Sequence, residues 1–180
     1  NACGSTTAAR GITVNPLPGN LNPTVTNALC VGATAQFTAN SIAGATYNWT
    51  GPNGFSSTLQ NPQIINVTAA NAGTYTVYAS LNGCQGASQT VTLTVNPAPI
   101  VNAGLDFAIC RNAPATTLIG TPAGGTWSGT GITSAGVFTP TTVGTFTLTY
   151  TYTNANGCSG TDNVVVTVNP LPTVNAGHEL

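Results

Sequence analysis

Charge is what this sequence has least of. Of its 180 residues only Arg10, Asp106, Arg111, Asp162 and Glu179 carry a formal charge; lysine and methionine are absent, and His178 is the single histidine. Charged residues make up 3% of the chain, against roughly 25% in ordinary globular proteins. Two scattered arginines cannot displace phosphate counterions, which excludes a nucleic-acid partner. They cannot form a polybasic membrane contact either. No apolar run approaches the roughly 18 residues of a membrane span, so membrane insertion is not expected. No secretory leader pattern opens the chain, which reads as mature, soluble sequence. Acid–base chemistry fares no better. A glycosidase needs two carboxyls flanking one bond, and here three carboxylates are scattered over the second half of the chain. A Ser-His-Asp arrangement would have to draw on the terminal His178. The sequence therefore predicts no enzyme and no catalytic residue.

What is present is threonine (33), glycine (21), asparagine (20) and proline (12), with 41% hydrophobic residues. That apolar content is enough to build a core, so disorder is excluded. The chain also repeats itself. Thr13-Val-Asn-Pro-Leu-Pro18, Thr94-Val-Asn-Pro-Ala-Pro99 and Thr167-Val-Asn-Pro-Leu-Pro172 are one hexapeptide, and Val101-Asn-Ala-Gly104 and Val174-Asn-Ala-Gly177 extend two of its copies. Cys3, Cys84 and Cys158 each precede a copy by the same phase, while Cys30 and Cys110 follow one. The period is a domain length. It divides the chain into the remnant of a preceding module (1–15), complete modules at 20–96 and 100–169, and a linker with the start of a following module (170–180). On this reading His178-Glu179 falls at the repeat position of Leu105-Asp106 and is no special site.

Inside the modules hydrophobicity alternates with threonine at period two, as in Thr74-Tyr-Thr-Val-Tyr78, Thr90-Val-Thr-Leu-Thr-Val95 and Thr145-Phe-Thr-Leu-Thr-Tyr-Thr-Tyr152. This predicts half-buried antiparallel strands, with the branched threonine on the outer pleat. Strands recur every 8 to 12 residues with Gly, Asn and Pro between them, which predicts an all-β chain of Greek-key sandwiches. Trp49, in Ala45-Thr-Tyr-Asn-Trp-Thr50, stands where a third strand puts a core tryptophan. Tyr75, in Asn71-Ala-Gly-Thr-Tyr-Thr-Val77, stands where a sixth strand makes a tyrosine corner. Trp127 is the core tryptophan expected of the second module.

Together with Gly51-Pro-Asn-Gly-Phe55, Asn102-Ala-Gly-Leu-Asp-Phe-Ala-Ile-Cys110, Gly125-Thr-Trp-Ser-Gly-Thr-Gly131 and Asn156-Gly-Cys-Ser-Gly-Thr-Asp162, these segments resemble the immunoglobulin-like (Ig-like) and PKD-like domains repeated in large secreted surface proteins of Bacteroidota, including gliding-motility adhesins. The resemblance covers essentially the whole chain and implies tandem Ig-like sandwiches at the bacterial cell surface. No catalytic motif is carried over with it.

Cysteines in phase with a repeat suggest disulfides and an oxidising, extracellular location. The simplest pairing is within modules, Cys30 with Cys84 and Cys110 with Cys158, leaving Cys3 to pair outside the chain. A Greek key, however, places Cys30 and Cys84 at opposite ends of the sandwich. Head-to-tail stacking makes Cys30 with Cys158 the competing pairing, and both stand open here. No Cys-x-x-Cys spacing marks a metal site. Asp106 and Asp162 are weak candidates for a Ca²⁺ site at a module end, set against the plainer reading of turn-forming aspartates, and no cofactor is expected. Phe55, on its glycine-rich turn, is the best single candidate for a platform under a sugar ring, set against the plainer reading of a turn residue folded back onto the sandwich edge.

The short Asn-Pro-x-Pro linkers favour extended backbone and restrict hinging, so the expected architecture is a rod. The function this implies is a stalk or spacer of a surface adhesin or extracellular filament. Its partners are neighbouring modules, and identical chains in the filament case. A carbohydrate-binding module that meets surface polysaccharide is the alternative.

Overall fold

A computed structural model describes residues 11–173. The chain divides into two compact units, Asn1–Val95 and Asn96–Leu180, each with its own core. Strand content follows the alternation seen in the sequence, and among the described residues the only helical turn is the 3-10 segment Ala69–Asn71.

In the first unit the strands are β1 (Thr24–Val25), β2 (Leu29–Cys30), β3 (Ala35–Thr38), β4 (Thr46–Thr50), β5 (Ser56–Ser57), β6 (Gln63–Ile64), β7 (Gly73–Leu81), β8 (Cys84–Gln85), β9 (Gln89–Leu93) and β10 (Val95–Asn96). One sheet runs β1-β3-β6; the other runs β5-β4-β7, with β8 and β9 both pairing β7. All of these pairs are antiparallel. Strands β7 and β8 are joined by a two-residue turn, Asn82-Gly83, with φ of 49° and 79°. Two consecutive positive φ values define the type I′ turn, whose twist matches that of the strands it joins. Between β8 and β9 the last strand carries one extra residue: Gln85 pairs Ser80, but Gln89 pairs Val77. That is a β-bulge, which twists the strand locally.

Alternate residues of β3, β4 and β7 point between the sheets. Phe37, Trp49, Tyr75 and Val77 are fully buried there, and Phe37 lies 5.5 Å from Trp49 and 4.5 Å from Tyr75, ring centre to ring centre. Aromatic pairs at such distances add about 0.5–1.5 kcal/mol each beyond the area they bury. The Tyr75 hydroxyl donates to the Asn71 carbonyl at 2.7 Å, closing a tyrosine corner on the 3-10 turn. Two residues on, where antibody domains carry the second cysteine of the inter-sheet disulfide, this chain has Val77. The first module is an Ig-like sandwich whose central bridge is replaced by aliphatic and aromatic packing.

The second unit comprises β11 (Phe107–Cys110), β12 (Thr116–Thr117), β13 (Thr126–Ser128), β14 (Val137–Phe138), β15 (Gly144–Thr153) and β16 (Ser159–Asn169). Its larger sheet runs β11-β16-β15-β13, and β11 pairs β16 in parallel, Phe107 against Val166 through Cys110 against Asn169. The opposing layer is slight: β12 pairs β14, and an isolated bridge joins Asn102 to Thr121. Trp127, Phe138, Leu148, Tyr150, Val164, Val166 and Val168 fill the space between. Gly144, like Gly73, opens the long inner strand, but Phe146 follows where Tyr75 stands in the first module. Phe146 packs edge-on to Phe138 at 5.7 Å and has no hydroxyl with which to close a corner.

The two modules close the loops before β4 and before β13 with different tyrosines. In the first, the Tyr47 hydroxyl donates to Asn40 O and accepts from Ile42 N. In the second, the Tyr150 hydroxyl donates to Pro122 O and accepts from Gly125 N.

Two outcomes are expected at Tyr75. Tyr75→Phe leaves the Asn71 carbonyl without its partner and lowers stability by about 1–2 kcal/mol, read as a lower Tm for the first module. Burial raises the Tyr75 pKa above its ordinary value. The folded state thus holds this proton more tightly than the unfolded chain. The resulting stabilisation is complete below about pH 10 and is lost as pH rises through the folded pKa. A spectrophotometric titration should show one tyrosine ionising late and together with alkaline unfolding.

Candidate functional site

The features that repeat in sequence converge on one end of each module. In each unit the linker lies along the hairpin between the last two long strands. Asn15 Nδ2 donates to Asn82 O at 3.4 Å in the first, and Asn154 Nδ2 donates to Pro97 O at 3.3 Å in the second. The Cys-x-Gly of each hairpin makes this approach possible. A β-carbon on Gly86 would lie 3.1 Å from Pro18 Cβ, and one on Gly160 would collide with the Pro99 carbonyl and the Val101 side chain. Pro18 and Pro99 are the second prolines of the repeated hexapeptide, so the two motifs are halves of one contact.

Cys84 and Cys158 are fixed by this arrangement at the hairpin end. Cys84 pairs with Leu81, and Cys158 directly precedes Ser159, which pairs with Thr153. Cys30 and Cys110 sit at the other end. Leu29 N donates to Thr94 O at 3.2 Å, one residue beyond the Leu93–Gly73 pair; Cys110 pairs with Asn169, one residue beyond the Val168–Gly144 pair. The strand from Gly73 to Leu81 spans about 26 Å, and that from Gly144 to Thr153 about 30 Å, at 3.3 Å per residue.

Bridged cysteines have their α-carbons within about 7 Å, so the within-module pairs Cys30–Cys84 and Cys110–Cys158 cannot form. The structure agrees: Cys84 and Cys110 are thiols, whereas Cys30 and Cys158 are disulfide-bonded. The within-module expectation is corrected on this point by the register of the hairpin. Cys3 lies outside the described residues, as do Arg10, His178, Glu179, most of the 1–15 remnant and most of segment 170–180.

Phe55 is folded back onto the sandwich, the plainer of its two readings. Its ring stacks on Phe37 at 5.6 Å and meets Tyr75 edge-on at 5.3 Å. The glycine turn folds it back onto the core, where it caps the aromatic cluster instead of offering a platform for a sugar. Trp49 and Tyr75 are fully buried, and Trp127 is 5% exposed.

Asp106 and Asp162 do not converge as metal ligands. Asp106 Oδ1 accepts from Val165 N at 2.7 Å, and Asp162 Oδ2 accepts from Ala103 N at 2.8 Å. Each carboxylate reaches across to an amide of the opposite segment, and together they lock the start of the second module to β16. Hydrogen bonds to charged acceptors of this kind contribute about 1.5–3 kcal/mol each. Among the described residues no group of three His, Cys, Asp or Glu side chains comes together, and no ligand-sized cleft opens. The reciprocal clamp was not legible in the sequence. Its two bonds each span 59 residues, a separation that no local pattern marks.

No protein-family model matches the sequence, and no curated protein sequence matches it. Solved structures similar to the chain include the amphioxus IgVJ-C2 molecule, with 26% identity over 43% of this chain and 44% of that one, at a TM-score of 0.36. The N-terminal eight Ig domains of Down syndrome cell adhesion molecule match over 83% of this chain and 25% of that one, at 14% identity and a TM-score of 0.39. The insect immune protein hemolin matches over 83% and 47%, at 17% identity and a TM-score of 0.43. The chain thus spans less than half the length of these three relatives.

Two measurements check the site. Alkylation of the unreduced protein followed by peptide mapping should label Cys84 and Cys110 and leave Cys30 and Cys158 protected until reduction. Gly160→Ala should destabilise the second module by about 1–3 kcal/mol through the clash with the Pro99 backbone, and Gly86→Ala should cost less, because its nearest contact is a proline side chain.

Proposed function

We propose that the chain is a non-catalytic stalk or spacer segment of a secreted bacterial surface protein, an adhesin or an extracellular filament. The observation that carries this reading is the repeated junction. The same linker, hairpin glycine and cysteine positions recur in both modules, while the module interiors diverge, with Trp49 on one strand context and Trp127 on another. A chain that keeps its joints alike and lets its interiors vary has the organisation of a repeat whose purpose is end-to-end connection.

Composition supports the same reading. Acid and base groups are few, the two described carboxylates are occupied by backbone amides, and the outer strand faces carry threonine, which is hydrated and chemically inert. The cell-surface location rests on the disulfide-bonded cysteines, since such bonds persist in oxidising compartments. Neighbouring modules are the first partners of such a segment. Identical chains come second, because a net charge of −1 opposes lateral contact only weakly. Carbohydrate binding, the other reading of the sequence, has no supporting observation once Phe55 is engaged by the core.

Small-angle scattering tests the rod directly. Two modules of about 40 Å each in line, estimated from strand lengths at 3.3 Å per residue plus turns, give a radius of gyration of about 24 Å. A compact globule of 180 residues gives about 16 Å, and a value near 16 Å would sink the spacer reading.

A further inference from the structure

The described cysteines are of two kinds. Cys30 and Cys110 end the strand that runs beside the last strand of their module, and Cys84 and Cys158 lie at the hairpin of the opposite end. One of each kind, Cys30 and Cys158, is disulfide-bonded; the other of each kind, Cys84 and Cys110, is a thiol. The length of the hairpin forbids any bridge inside a module, so a cysteine of either kind finds a partner sulfur only outside its own sandwich. The bonded state of their repeat counterparts marks both positions as bridging positions, independently of thiol exposure. Cys110 is exposed and Cys84 half-buried, so both can be reached.

We propose that Cys84 and Cys110 are bridging positions, and that between two copies of this chain Cys84 of one pairs with Cys110 of the other. Opposite kinds pair because they occupy opposite ends of a module, so a head-to-tail contact between two copies would bring one kind to the other. Pairing of like kinds would require head-to-head contact. A head-to-tail contact is heterologous and does not close on itself, so it propagates as an open chain.

The chemistry is thiol–disulfide exchange with a small-molecule disulfide of the extracellular medium. The Cys84 thiolate attacks the small disulfide, forming a mixed disulfide and releasing one small thiol. The Cys110 thiolate of the second copy then attacks the Cys84 sulfur and releases the other small thiol. Two protein thiols are oxidised to one bridge, and one small disulfide is reduced to two thiols.

The test uses the full chain carrying Cys3→Ser, in which peptide mapping first establishes that Cys84 and Cys110 are the alkylatable cysteines, in a buffer of oxidised and reduced glutathione. The parent is expected to form a ladder of multimers on non-reducing gels that collapses with reductant. Cys84→Ser and Cys110→Ser should each stay monomeric alone and form dimers when mixed in equal amounts, with a Cys84–Cys110 peptide recovered by mass spectrometry. Alanine versions of both variants repeat the test should serine disturb the half-buried Cys84 site. Homodimers of either variant at the yield of the mixture would overturn the proposal, as would a parent that stays monomeric with both thiols alkylatable. A compact radius of gyration would count against the spacer reading and leave this pairing rule standing.

Discussion

The long hairpin at the centre of each module is the constraint on which the rest depends. Its register, Gly73 to Leu81 against Leu93 and Cys84 in one module and Gly144 to Thr153 against Val168 and Ser159 in the other, fixes two ends some 26–30 Å apart. Core residues sit on its inner face, the linker lies along one end, and the parallel partner strand of the second module lies beside the other. A one-residue slip would turn Tyr75, Val77, Leu148 and Tyr150 outward and put threonine in the core, so the burial pattern holds the register firmly. Which cysteine can meet which follows from that length.

Given the hairpin, the two modules tolerate different solutions elsewhere. One closes its corner with the Tyr75 hydroxyl and its loop with Tyr47; the other has Phe146 at the corner and assigns the loop to Tyr150. Neutral cross-strand contacts take the place that ion pairs hold on other sheets. Thr24 and Thr38 hydroxyls lie 2.6 Å apart, the Thr149 hydroxyl donates to Asn163 at 2.7 Å, and Thr153 and Ser159 hydroxyls lie 2.7 Å apart. Such pairs contribute about 0.2–1 kcal/mol each. They do so without charges that salt would screen. The scarcity of charge, which excludes so many activities, is compatible with a firm sheet for this reason.

Local pattern made the fold readable. The alternation in 74–78, 90–95 and 145–152 announces strands, and Tyr75, three residues after Ala72-Gly73 begins the approach, announces the corner. Interactions set by long-range placement were not readable. Phe55 could be read either as an exposed ring or as one folded back, and only the structure supplies Phe37 as the ring it stacks on. Asp106 and Asp162 look like free carboxylates until the parallel pairing of β11 with β16 brings amides to them. The cysteine spacing invites within-module bridges, because spacing counts residues and is blind to which end of a sandwich each occupies. Topology held the objection, and the register turns it into a distance.

That distance is the central claim, and it can be tested on the chain with all cysteines except Cys110 and Cys158 replaced by serine. Under oxidising conditions and at high dilution, thiol titration of the isolated monomer should find both cysteines free, since the hairpin holds them at opposite ends. An intramolecular Cys110–Cys158 bridge formed by the folded monomer would contradict the account.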